Sequence, residues 1–195
     1  EDGVLQLLIS TRTGGRGSRF IEKVETGTRT VVELPLGGYQ LKETGRPRIF
    51  IATGTGLAPF LSITRDPETY ERYDQVILVH GVRQVNELAY YDLFTKELPE
   101  HEYLGELIKG KLLYYPTVTR EPFRNQGRIT TLIENGKLNA DLGLPPFNRE
   151  EDRIMICGSP EMLRDLKDMF EKRGFAEGNT STPGDFVIER AFAEQ

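Results

Sequence analysis

From residue 49 onward, short apolar runs alternate with stretches in which the apolar positions are spaced as on a helix face. Ile49–Ala52, Gln75–His80, Lys111–Val118, Arg153–Cys157 and Phe186–Ile188 have the length and composition of buried strands. Ala58–Ile63, Glu87–Leu98, Ile129–Gly136 and Pro160–Arg173 carry the helical spacing. In the last of these, Met162, Leu163, Leu166, Met169 and Phe170 share one face, and Gly174 stands where a C′ glycine closes a helix. Strands alternating with helices predict an α/β domain built on a doubly wound parallel sheet with right-handed crossovers.

The first 46 residues are patterned differently. Val4–Ile9 and Thr30–Leu34 read as strands, and Thr13–Ser18 as a glycine-rich turn. Arg19–Val24 reads as a short helix with Ser18 as its cap, and Pro35–Gly38 as a turn. Thr44-Gly45-Arg46-Pro47 then breaks the chain. The pattern predicts a β-dominated piece over 1–46 and an α/β domain over 47–195.

Composition narrows the classes of function. With 195 residues, 37% hydrophobic and 28% charged, the chain suits a globular fold. No apolar run nears the ~20 residues of a membrane helix, and no signal peptide opens the chain. No membrane is expected, and the cytoplasm is the expected compartment. The single cysteine, Cys157, excludes an intrachain disulfide, and with two histidines, His80 and His101, no zinc cluster and no metal are expected. A net charge of −5 argues against nucleic acid. The charge is uneven: residues 1–48 hold 8 Lys/Arg against 6 Asp/Glu, and residues 49–195 hold 17 against 24. A mildly basic N-terminal piece can face an anionic cofactor or an acidic partner, although ordinary surface variation explains the difference as well.

Candidate chemistry gathers where strands end. Arg48–Leu61 joins a strand to Thr53-Gly54-Thr55-Gly56 and then to a helix start. The glycines let the backbone approach a ligand, and free N–H groups at the helix start favour an anion. The third glycine and the later acidic residue of the dinucleotide fingerprint are missing, so the segment says nucleotide phosphate without saying which nucleotide. Gly15-Arg16-Gly17-Ser18-Arg19 is a second candidate phosphate loop, although read alone it is better described as a hairpin loop. Thr119-Arg120 and Arg128 bracket a polar loop. Two guanidiniums converging on a dianion favour a 2′-phosphate, hence NADP, and solvated surface arginines explain them equally well.

Cys157 ends a strand before Gly158-Ser159-Pro160 and reads as a small buried thiol or as a contact for a nicotinamide ring. No neighbouring histidine supports a Cys/His hydrolase. Tyr90, Tyr91, Tyr103, Tyr114 and Tyr115 read as packing residues. The ends at Thr53–Gly56, His80-Gly81-Val82-Arg83 and Cys157–Pro160 are expected on one edge of one sheet, where doubly wound folds bind their ligands.

Together these segments resemble the ferredoxin/flavodoxin–NADP⁺ reductase family in its bacterial form. The resemblance implies that Gly15, Arg16, Gly17 and Ser18 hold the FAD pyrophosphate, and that Gly27 through Tyr39 closes an antiparallel flavin-binding β-barrel. It implies that Thr53, Gly54, Thr55 and Gly56 hold the NADP(H) pyrophosphate. The 2′-phosphate falls to Thr119, Arg120 and Arg128, with Arg83 on the same cofactor. Cys157 stands on the nicotinamide side, and Glu189 relays a proton or shapes that site. Ala191 takes the flavin-stacking place and Phe192 lies toward the FAD adenine.

The implied activity moves electrons between NADP(H) and ferredoxin or flavodoxin, by hydride transfer at flavin N5 and then single-electron steps, in a monomer. An oxygenase reductase component or a free-flavin reductase is the nearest alternative. A nucleotide-binding module without redox activity is another. The Arg-x-Tyr-Ser/Thr segment of the family's early barrel strands has no match here, so the chain is expected to enter at about the middle of the barrel and to be N-terminally incomplete.

Overall fold

The computed structural model describes residues 23–26, 48–179 and 181–189. The chain divides into two compact units, Glu1–Gly38 and Tyr39–Gln195. Of the first unit only the exposed, non-helical stretch 23–26 is described. The half-barrel expected over 1–46 and the boundary after residue 46 lie outside the described residues.

Five strands form the second unit's sheet: β1 (Arg48–Thr53), β2 (Val76–Val82), β3 (Leu112–Val118), β4 (Arg153–Cys157) and β5 (Phe186–Glu189). Every pairing is parallel and the order is β3-β2-β1-β4-β5. This is the doubly wound sheet the alternating pattern predicts. Every residue of β2 is buried, which is why the strand opens on the continuous apolar run Val76–Val79 rather than alternating, and why His80 is buried with it. The strand order reverses between β1 and β4, so a crevice opens beyond their carboxyl ends.

Among the described residues, six helices follow in chain order: α1 (Ala58–Ile63), α2 (Pro67–Arg72), α3 (Gly105–Ile108), α4 (Ile129–Glu134), α5 (Lys137–Leu142) and α6 (Pro160–Lys172). On one side of the sheet, Ile51, Ile77, Val79, Ile154, Ile156 and Phe186 form a core with Ile129, Leu132, Leu138, Leu166 and Phe170. Residues of the opposite parity on β2, Val76 and Leu78, are fully buried as well.

The longest helix, α6, has its limits written in its sequence. The Ser159 side chain accepts from Met162 N at 3.4 Å and Pro160 occupies the first turn. At the other end Gly174 adopts φ +83°, Gly174 N donates to Glu171 O, and Phe175 N donates to Phe170 O. That double bond is a Schellman closure, and the edge-on contact of Phe170 with Phe175 at 5.5 Å supplies its hydrophobic partner.

Other elements differ from expectation. The helix expected over Glu87–Leu98 is replaced by a 3-10 turn, Val85–Glu87, and a π-type turn, Leu93–Glu97. Tyr90 at φ 60° interrupts the helical path between them. The helix expected over Ile129–Gly136 stops at Glu134, because Gly136 adopts φ +74° and restarts the chain as α5. The sequence reading missed α2, although Asp66 caps it by accepting from Glu68 N at 3.0 Å. Tyr103, expected to pack, is 74% exposed. Among the described residues no helix is long and apolar enough to cross a membrane, and no three His, Cys, Asp or Glu side chains stand ready for a metal.

Candidate functional site at the carboxyl edge of the sheet

The turn after β1 and the turn after β4 are interlocked. Past Thr53 the chain enters a 3-10 turn, Gly54–Leu57, that leads straight into α1. The first N–H groups of such a turn have no partner within it. Ser159 N donates to Thr53 Oγ1 at 3.1 Å, which ties the start of α6 to the end of β1. A Cβ on Gly56 would lie 2.3 Å from Cys157 O, and one on Gly158 would lie 2.3 Å from Thr53 Oγ1. The close approach these glycines permit is therefore that of the two turns to each other. The sequence reading had assigned Gly56 to ligand approach alone, and its packing duty emerges only from the fold.

A second cluster forms beyond β2 and β3. Thr119 N donates to Val82 O at 3.1 Å and Arg120 N to Arg83 O at 2.9 Å, so the two exit loops run side by side. The chain then folds back: Val118 N donates to Asn125 O, Gly127 N to Val118 O at 3.0 Å, and Thr117 Oγ1 to Gly127 O at 2.7 Å. These bonds anchor Arg83, Thr119, Arg120 and Arg128 around the ends of two adjacent strands. Arg128 is the cap residue of α4, whose Ile129 packs over β2. A Cβ on Gly81 would stand 2.7 Å from Ile129 Cδ1 and 3.4 Å from Thr53 Cγ2. Glycine at 81 thus lets α4, and with it Arg128, approach the β1 end.

Two of the arginines already hold carboxylates. Arg83 Nη2 meets Glu87 Oε1 at 3.1 Å, and Arg128 Nη1 meets Glu161 Oε1 at 3.7 Å. Arg120 is exposed and has no carboxylate partner among the described residues. Neither Glu87 nor Glu161 is among the site residues expected from the sequence. Glu161 does carry a legible signal, as an acid in the first turn of α6. Arg124 was also passed over. It is exposed on the same loop, with its guanidinium 5.9 Å from the Phe123 ring centre.

Cys157 and Glu189 are register neighbours on β4 and β5. The Cys157 thiol is buried, and burial, with the Glu189 carboxylate second, pushes its pKa up to about 12. It is a neutral, inert thiol at physiological pH. Burial also holds the half-buried Glu189 carboxyl above its usual range. On β2, across β1 from Cys157, His80 is fully buried. Its Nδ1 lies 3.1 Å from the Tyr114 hydroxyl, its Nε2 has no hydrogen-bond partner, and burial pushes its pKa down to about 4.

The structure therefore brings Thr53, Gly56, Arg83, Thr119, Arg120, Arg128, Cys157 and Glu189 to one edge of one sheet, with Gly54 and Thr55 in the connecting turn. Gly15, Arg16, Gly17, Ser18, Ala191 and Phe192 lie outside the described residues.

Comparison with known proteins identifies the family. The oxidoreductase NAD-binding domain family matches residues 50–168. A ferredoxin–NADP reductase of Azotobacter vinelandii is 55% identical over 190 residues, covering 96% of this chain and 74% of that protein. A ferredoxin–NADP reductase of Pseudomonas aeruginosa is 59% identical over 152 residues, covering 77% of this chain and 59% of that protein. The chain thus spans about three fifths to three quarters of these relatives' length. Among solved structures, a Neisseria gonorrhoeae ferredoxin NADP⁺ reductase with bound FAD and NADP superposes with a TM-score of 0.70 at 29% identity, covering 91% of this chain and 70% of that one.

Proposed function

Since the chain belongs to the ferredoxin–NADP reductase family, we propose that it supplies the pyridine-nucleotide half of a flavoprotein that moves electrons between NADP(H) and ferredoxin or flavodoxin. What carries the reading is the convergence at the carboxyl edge: interlocked turns at the β1/β4 switch point, with three arginines gathered beyond β2 and β3. A dinucleotide needs a pyrophosphate cradle and a second anion site at a distance, and these two clusters supply that pair.

In this reading the turn at Thr53–Gly56 receives the pyrophosphate. Arg120, Arg128 and Thr119 receive the 2′-phosphate, with Arg83 beside them. Guanidiniums suit a dianion because their planar fork donates two parallel hydrogen bonds. The described rim beside β4 and β5 suits an uncharged, planar ring. Its thiol stays neutral, and Gly158 lets the turn close on Thr53 beside it. Cys157 orients that ring and Glu189 holds a proton or shapes the same face. FAD, when bound, supplies hydride acceptance and one-electron release, and the protein positions the rings. Its contacts are assigned to Gly15, Arg16, Gly17, Ser18, Ala191 and Phe192 on the sequence resemblance. The 1–46 barrel segment, a monomeric state and a cytoplasmic location belong to the same reading.

Two measurements test it. Arg120→Ala with Arg128→Ala should weaken NADPH by at least about 10-fold, from loss of charged hydrogen bonds worth ~1.5–3 kcal/mol each, and leave NADH nearly unchanged. Equal loss for both cofactors would remove the 2′-phosphate assignment. The full-length protein should show flavin absorbance that NADPH bleaches. A colourless protein that still binds NADP(H) would instead be a nucleotide-binding module.

A further inference from the structure

The Arg128–Glu161 pair joins elements that are far apart in the sheet. Arg128 follows the loop leaving β3, and Glu161 sits in the first turn of α6, which leaves β4. β2 and β1 lie between those two strands. Both partners stand on braced backbone: Arg128 on the Gly127–Val118 and Thr117–Gly127 hydrogen bonds, Glu161 on the Ser159 cap. Ile129, next to Arg128, packs on Gly81 beside Thr53. The 3.7 Å bridge therefore crosses the strand ends where a dinucleotide would lie.

From this geometry we infer that Glu161 is a resident counter-ion for Arg128, one that a ligand's phosphate dianion displaces, so that it sets the affinity of this edge for phosphorylated nucleotides. The inference rests on the reading of Arg128 as a phosphate ligand. Both side chains are about two thirds exposed, at 67% and 68%, so the bridge is weak and opens easily. A dianion offers Arg128 two strong acceptors where Glu161 at 3.7 Å offers one long contact. In the free protein the carboxylate neutralises Arg128 and keeps it over the crevice. Glu87 sits closer to Arg83, at 3.1 Å, and also accepts from Arg83 N and Gln84 N, so it is part of its own turn rather than a removable partner.

The test is a double-mutant cycle on the intact protein, read by calorimetry with adenosine 2′,5′-bisphosphate and 5′-AMP as probes. Glu161→Gln should tighten the bisphosphate about two- to five-fold at low salt, the range an exposed pair supports, and leave 5′-AMP unchanged. The gain should fade at high salt and vanish in the Arg128→Ala background. Equal tightening of both probes, a gain that survives in Arg128→Ala, weaker binding or no change would each overturn the inference. If Arg128→Ala itself weakens the bisphosphate no more than 5′-AMP, the phosphate reading of Arg128 fails and the inference falls with it. If Arg128→Ala discriminates and Glu161→Gln does nothing, the inference alone fails. A thermal unfolding curve for Glu161→Gln separates the binding effect from the stabilisation that an acid contributes at a helix start.

Discussion

His80 illustrates how one buried side chain ties stability to pH. Its ring is fully buried, one nitrogen faces Tyr114, and the other has no partner. Burial penalises the charged form, so the folded imidazole takes its proton only near pH 4, against 6.5 in the unfolded chain. As pH falls from 6.5 to 4, the unfolded state therefore binds protons that the folded state refuses, and stability is lost across that window. Fully developed, the loss is about 3 kcal/mol, at ~1.4 kcal/mol per pH unit. His80→Gln should flatten the urea midpoint between pH 6.5 and 4.5 relative to the wild type. A constant gap between the two proteins across that range would show that His80 does not carry the effect. In the sequence His80 read as part of a strand-end motif. Its burial follows from the covering of both faces of β2, and a histidine at a strand end does not reveal that in the sequence. Cys157 is the complementary case: a small buried thiol was one expected reading, and the raised pKa of about 12 agrees with it.

At the scale of elements, the interlocked turns after β1 and β4 are the most constrained feature. Gly56 has no room for a side chain because the carbonyl of Cys157 occupies that space at 2.3 Å. A backbone neighbour cannot rotate away. Gly56→Ala should therefore cost more than the ~1–3 kcal/mol usual for overpacking, or force the turns apart and weaken nucleotide binding with them. Gly81→Ala meets side-chain atoms alone, Ile129 Cδ1 at 2.7 Å, Ile129 Cγ1 at 3.1 Å and Thr53 Cγ2 at 3.4 Å, and should cost less. Denaturant midpoints order the two, and a Gly56→Ala protein as stable as Gly81→Ala would contradict the interlock. Local signals were enough to mark α6, with its serine cap, first-turn proline and closing glycine. They failed over residues 87–98, where apolar spacing suggested one helix. The positive φ at Tyr90 and the π-type turn at Leu93–Glu97 follow from packing that places Phe94 against Tyr114 at 4.8 Å.

For the domain as a whole, the two edges of the sheet divide the work. The carboxyl edge gathers the candidate chemistry. At the amino edge Arg153, the first residue of β4, is buried against Asp185, with Nη1 3.8 Å from Oδ1 and side-chain exposures of 5% and 7%. Arg153 also donates to Arg149 O at 2.7 Å and to Asp152 O at 2.6 Å. Arg153→Ala would remove the cationic partner of the buried Asp185 carboxylate, which keeps its hydrogen bond from Ala176 N at 2.9 Å, and should cost about 3–5 kcal/mol. Nucleotide affinity at low temperature should stay as in the wild type, since the site lies at the opposite ends of the strands. A large loss of affinity in a folded Arg153→Ala protein would refute this division. The strands of the described sheet, their parallel winding, the limits of α6 and the strand ends on which the candidate residues stand were legible in the chain. All of these follow from apolar periodicity and from cap and turn residues within a few positions of one another. Tertiary structure alone decided the order β3-β2-β1-β4-β5, the locking of Thr53 and Gly56 against Cys157 to Ser159, and the carboxylates that meet Arg83 and Arg128. Thr53 and Ser159 lie 106 residues apart in sequence and 3.1 Å apart in space, and no local periodicity encodes a contact of that separation.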